Sequence, residues 1–193
     1  MSNHVPETRD RILRACLKLL ENSDGQEVRV SDVADEAGVT RQTLYLYFRN
    51  RAELLIATTQ YLDELKNSDE RLRPSRTAGS GKERLDAYIT AWCDYVPEIY
   101  GASRALLAMN DADSQRAWSS RMQDMWEGCE AAIRALKRDG QLTRDYSVKE
   151  ASDLLWTLLS VRNWENLRIE RSWSQEQYLA AMMKMAHRLF VDE

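Results

Sequence analysis

The stretch Ser31–Glu53, SDVADEAGVTRQTLYLYFRNRAE, decides the reading of this chain. Val33 and Ala37 stand at i and i+4 and share one face of a short helix. Gly38 follows where the chain must reverse, a place that favours the residue free to take positive φ. Val39 turns inward, and Thr40 is suited to cap a second helix. Leu44 and Phe48, again at i and i+4, anchor that second helix to a core. Arg41, Gln42, Thr43, Tyr45 and Tyr47 are left facing outward. The pattern is a helix-turn-helix, the unit that lays one helix in the major groove of DNA. The residues at its surface suit that task. Arg pairs bidentately with guanine, Gln with adenine, and the Thr methyl with thymine, while tyrosine hydroxyls on rigid stems suit phosphate oxygens.

The pattern DVADEAGVTRQTLYLYF, followed by Arg51 and then Glu53-Leu54-Leu55, strongly resembles the TetR family of bacterial transcriptional regulators. The resemblance extends upstream to TRDRILRACLKLLEN, which is similar to that family's first helix, and covers about the first quarter of the chain. It implies phosphate contacts from Tyr45 and Arg51, and from Ser31 and Thr40 at the starts of the two motif helices. It also implies a second part of the chain that binds a small molecule and dimerises. Leu46 departs from the polar or aromatic residue often found at its position, and is expected either to touch a thymine methyl or to touch nothing.

Composition agrees with an all-α protein. Among 193 residues there are only 7 Gly and 3 Pro, and the segments between them are long and helical in period. No apolar run approaches the ~20 residues that cross a bilayer, and MSNHVPETRD has no signal-peptide core. Cys16, Cys93 and Cys129 lack C-x-x-C spacing and read as reduced thiols, so a cytoplasmic location is expected. The net charge of −4 is not that of a general nucleic-acid binder. From Val39 to Arg51, however, Arg41, Arg49 and Arg51 stand without an acid between them. So small a basic footprint calls for two heads acting together, hence a homodimer on a palindromic duplex.

A first helix is expected from about Glu7 to Asn22, ended by Ser23-Asp24-Gly25-Gln26. Asn50 with Glu53 forms a capping-box pattern for a fourth helix reaching about Arg71. PSRTAGSG, residues 74–81, reads as a linker. Helices are then expected at about 82–96, broken by Pro97, at 98–109 ending at Asn110-Asp111, and at 113–138 ending at Asp139-Gly140. Capping boxes Ser147/Glu150 and Ser174/Gln177 open the last two, to about Arg171 and Val191. The expectation is about nine helices, a three-helix DNA-binding head over residues 1–52 and a helical ligand-binding and dimerisation bundle over 53–193.

Six tryptophans lie beyond the head, and Trp118, Met122 and Trp126 step by four. Trp92, Tyr95, Trp118, Met122, Trp126 and Trp156 are therefore candidates to line a cavity for a moderately hydrophobic effector, against the alternative of ordinary packing. Leu155, Leu158 and Leu159, with Tyr178, Met182, Met185 and Leu189, make two broad apolar helices suited to a four-helix interface between two copies. No catalytic constellation emerges: His4 lies in the polar N-terminal tail and His187 lacks a Ser or Cys partner. No zinc-ligand spacing is present, and no cofactor or metal is expected. The reading is a repressor released from its operator by a small hydrophobic molecule, not an enzyme. The alternative is a helical protein–protein interaction module that uses the helix-turn-helix as a scaffold.

Overall fold

A computed structural model describes residues 4–23, 26–109 and 111–192. Asp24 and Gly25 of the expected first turn, and Asn110 of the expected later stop, lie outside the described residues. The architecture is all-α. The helices are α1 (His4–Glu21), α2 (Val30–Glu36), α3 (Arg41–Tyr47), α4 (Arg51–Leu65), α5 (Ser68–Arg76), α6 (Gly81–Ala108), α7 (Ala112–Arg138), α8 (Val148–Leu158), α9 (Val161–Glu165) and α10 (Gln175–Phe190). A π-helical turn, Asn166–Glu170, extends α9. An antiparallel bridge joins Leu142 to Val191.

The chain forms two compact units. One comprises Met1–Lys66 with Ile99–Met122, and the other Asn67–Glu98 with Gln123–Glu193. In the first, α1 packs on α4 and α2, and α2 on α3. Its core holds Ile12, Leu13, Cys16, Leu20, Val33, Leu44, Phe48, Leu54, Leu55 and Leu62, all buried. In the second, α10 packs against α8 and the π-turn. Its core includes Leu85, Ile89, Cys129, Ile133, Leu136, Leu155, Tyr178 and Phe190.

Several expected boundaries move, each for a local reason. The fourth helix stops at Leu65 because Asn67 adopts a left-handed conformation, φ 51°, which asparagine tolerates better than most residues. The first residues of the expected linker are helical, since α5 runs through Pro74 to Arg76. Pro97 does not break α6. Proline removes the N–H that would bond the Cys93 carbonyl, and the Gln175 side-chain amide donates to that carbonyl instead, at 2.8 Å. The helix expected from 147 to 171 ends at Leu158. The carbonyls freed there accept from Asn163 Nδ2 (Thr157 O at 2.9 Å, Leu158 O at 3.2 Å) and from Trp92 Nε1 (Leu159 O at 2.6 Å), which takes the place of helical bonding at the break. Both reciprocal capping boxes, Ser147/Glu150 and Ser174/Gln177, are present as expected.

Candidate nucleic-acid interface

The local chemistry of α2 and α3 sets the geometry of the head. Gly38 takes φ 65° at the reversal, where a side chain would be strained. The Thr40 hydroxyl accepts from the Thr43 backbone N–H at 3.0 Å and fixes the start of α3. Leu44, with Phe48 just beyond the helix, is fully buried, each apolar side chain contributing roughly 1.5–3 kcal/mol. The Arg9 guanidinium lies 5.8 Å from the Phe48 ring centroid. These two anchors fix the rotation of α3 about its axis. Arg41, Gln42, Tyr45 and Leu46 are consequently exposed, at i, i+1, i+4 and i+5 along one outward face.

The expected contact residues do not all share that face. Thr43 and Tyr47 are half-buried. The Thr43 hydroxyl is also engaged with that of Thr40, 2.9 Å away. Ser31 is the second residue of α2, not its cap, and its hydroxyl donates to Asp32 at 3.2 Å. The capping of α4 is offset from the expected box. Asn50 accepts from the Glu53 N–H at 2.9 Å, while the Glu53 carboxylate accepts from the N–H of Arg49, not of Asn50.

Arg51 requires a correction. Its side chain is only 12% exposed and is directed into the first unit, not outward to a phosphate. Nε donates to the Val28 carbonyl and Nη1 to Asp111, both at 2.8 Å, with the Met109 sulfur 3.3 Å from Nη2 and Asp113 3.9 Å from Nη1. Asp111 also accepts the backbone N–H groups of Asp113 and Ser114 at 3.0 Å. Partial burial works to raise the Asp111 pKa, but the hydrogen bonds from Arg51 and Ser114 outweigh it and hold the carboxyl below its usual value. Sequence reasoning missed this lock because Asp111 is sixty residues away and carries no motif.

The six candidate ligand residues are divided between the units: Trp118 and Met122 fall in the first, Trp92, Tyr95, Trp126 and Trp156 in the second. Trp92 is buried, packs edge-on to Tyr95 with centroids 6.2 Å apart, and has its N–H on the Leu159 carbonyl. Trp126 is half-buried, and its N–H donates to Asp153 at 2.8 Å.

The expected dimer set also needs correcting. Leu155, Leu159, Tyr178 and Met182 are buried within the subunit and are unavailable to a second copy. They belong to the core stripes 151/155/159 on and just beyond α8 and 178/182/186/190 on α10. Leu154 and Leu158, and likewise Met185 and Leu189, stand one residue out of step, about 100° around each helix. Leu154, Met185 and Leu189 are exposed and Leu158 is half-buried. The three thiols are buried. Burial pushes Cys16 up to about 11, and Cys93 and Cys129 up to about 12, which leaves them protonated and inert near neutral pH.

A buried two-point anchor, a capped turn and an outward row of polar and aromatic side chains define a DNA-binding helix-turn-helix. Residues 12–58 match the family model described as bacterial regulatory proteins, tetR family. The helix-turn-helix head is therefore of the TetR-family type. The HTH-type transcriptional activator FasR of Mycolicibacterium smegmatis is 26% identical over 72% of this chain, which spans 64% of FasR, just under two thirds of its length. The HTH-type transcriptional regulator CymR of Pseudomonas putida is 25% identical over 89% of this chain and 82% of its own. A structure from Rhodococcus sp., assigned to the same family, superposes with a TM-score of 0.75 at 20% identity, covering 96% of this chain and 99% of the other. No described helix is long and apolar enough to cross a membrane.

Proposed function

We propose that this protein is a homodimeric transcriptional repressor that binds a palindromic duplex operator through α3 and is released by a small hydrophobic effector. The observation that carries the DNA-binding part is the rotation of α3, which Leu44 and Phe48 hold so that Arg41, Gln42 and Tyr45 face outward. Gln42 and Arg41 read base edges, and Tyr45 offers its hydroxyl to the backbone. Thr40, Thr43, Ser31 and Tyr47 flank this row and line the approach to the phosphates. A small outward face gives one head little affinity, so two heads bind successive major grooves about 34–36 Å apart. The stripes Leu154/Leu158 and Met185/Leu189, exposed except for the half-buried Leu158, supply the surface for pairing. Repression needs no surface beyond the head, because a protein seated in the groove excludes others from it.

Trp92, Tyr95, Trp126 and Trp156, all in the second unit, are the candidates for an aromatic effector site. A ligand that favours the DNA-free arrangement releases operator, and by linkage operator weakens ligand binding by the same factor. The test is selection of a duplex from a random library, followed by titration at several salt concentrations. A palindromic winner with steep salt dependence is expected. Failure to enrich any duplex overturns the reading. Transcription in vitro from that duplex then separates repression from activation.

A further inference from the structure

Among the described large apolar side chains, Leu46 is the most exposed, at 85%, against 54% for Ile169. It does not lie on a neutral surface. It stands four residues after Gln42 on the outward face of α3, beside Tyr45, which is 43% exposed. A leucine there offers no hydrogen bond to a base or a phosphate. The major groove carries one apolar group, the C5-methyl of thymine. Thr43, the other residue with a methyl suited to that contact, is half-buried and has its hydroxyl tied to Thr40.

We propose that Leu46 is a specificity-determining residue that buries a thymine C5-methyl in the operator. The proposal rests on the DNA-binding reading above. Side chains at i and i+4 are about 5–6 Å apart on a helix. That lies between one and two base-pair steps of about 3.4 Å. The thymine read by Leu46 thus falls one or two base pairs from the adenine read by Gln42. The contact operates through removal of one methyl group from water, so it discriminates thymine from deoxyuridine, which pairs identically but lacks the methyl.

The experiment uses the full chain and a duplex selected from a random library, with each thymine replaced in turn by deoxyuridine. Wild type is expected to lose about four-fold per head at one position of each half-site, roughly fifteen-fold when both half-sites are replaced. Leu46→Ala is expected to bind the thymine and deoxyuridine duplexes equally. Leu46→Gln provides an independent variant; the position is exposed, so both variants are expected to keep the fold, which circular dichroism checks. If no duplex is enriched, the DNA-binding reading fails and takes this inference with it. If a duplex is enriched but wild type ignores deoxyuridine at every position, or if Leu46→Ala and Leu46→Gln lose the same factor as wild type, the assignment of Leu46 is wrong while DNA binding stands.

Discussion

Replacing Arg51 separates a structural lock from a phosphate contact. Arg51→Met keeps much of the apolar stem and removes the hydrogen bonds to Val28 and Asp111. A hydrogen bond to a charged group contributes about 1.5–3 kcal/mol, and breaking a fully buried pair costs about 3–5. The Asp111 side chain remains 36% exposed, so water replaces part of what is lost, and about 2 kcal/mol of destabilisation is expected once solvent screening is counted. Urea denaturation of Arg51→Met, Asp111→Asn and the double variant measures it. The cycle should return a coupling of about 1 kcal/mol. The Asp111 pKa is lowered in the folded state, so its contribution is present above the ordinary carboxyl range and lost as pH falls through the lowered value. Arg51→Met should therefore lose less stability on acidification than wild type. DNA titration supplies the second readout. A pin leaves the salt slope of the folded variant unchanged, whereas loss of one phosphate contact per subunit lowers it by about two in a dimer. Additive stabilities together with a reduced slope would refute the lock and restore Arg51 to the phosphates.

Three further outcomes follow from the geometry. Gln175→Ala strands the Cys93 carbonyl opposite Pro97 and should cost about 1–3 kcal/mol by denaturation, while Gln175→Glu, which still presents a side-chain oxygen but no amide donor, should not rescue it. Leu154→Glu with Met185→Glu should yield a folded monomer by light scattering, whereas Met182→Glu should fail to fold; a double variant that stays dimeric would move the interface elsewhere. The thiols of Cys16, Cys93 and Cys129 should resist a thiol-reactive disulfide reagent in the native protein and react together on unfolding; rapid native labelling of Cys129 would contradict its burial.

The head was legible in the sequence because its determinants are local. Thr40 caps the helix it precedes, Gly38 makes the turn it occupies, and Leu44 and Phe48 orient a helix only seven residues long. The same holds for the boxes at Ser147 and Ser174, where cap and partner lie three residues apart. Distant partners decided the rest. Pro97 should end a helix on local grounds, yet α6 continues because Gln175, some eighty positions later, takes over the freed carbonyl. The break after Leu158 has no glycine or proline to announce it and is stabilised by Trp92 and Asn163. Leu154 and Leu155 are indistinguishable as residue types, and one turns out while the other turns in because packing selects the rotation of α8. Arg51 belongs to the family's motif by position, but its direction is set by Asp111. Short-range hydrogen bonding and periodicity can be read along the chain; the side that a wide apolar helix buries, and the acceptor that a long cation reaches, depend on which neighbours the fold brings within a few ångströms.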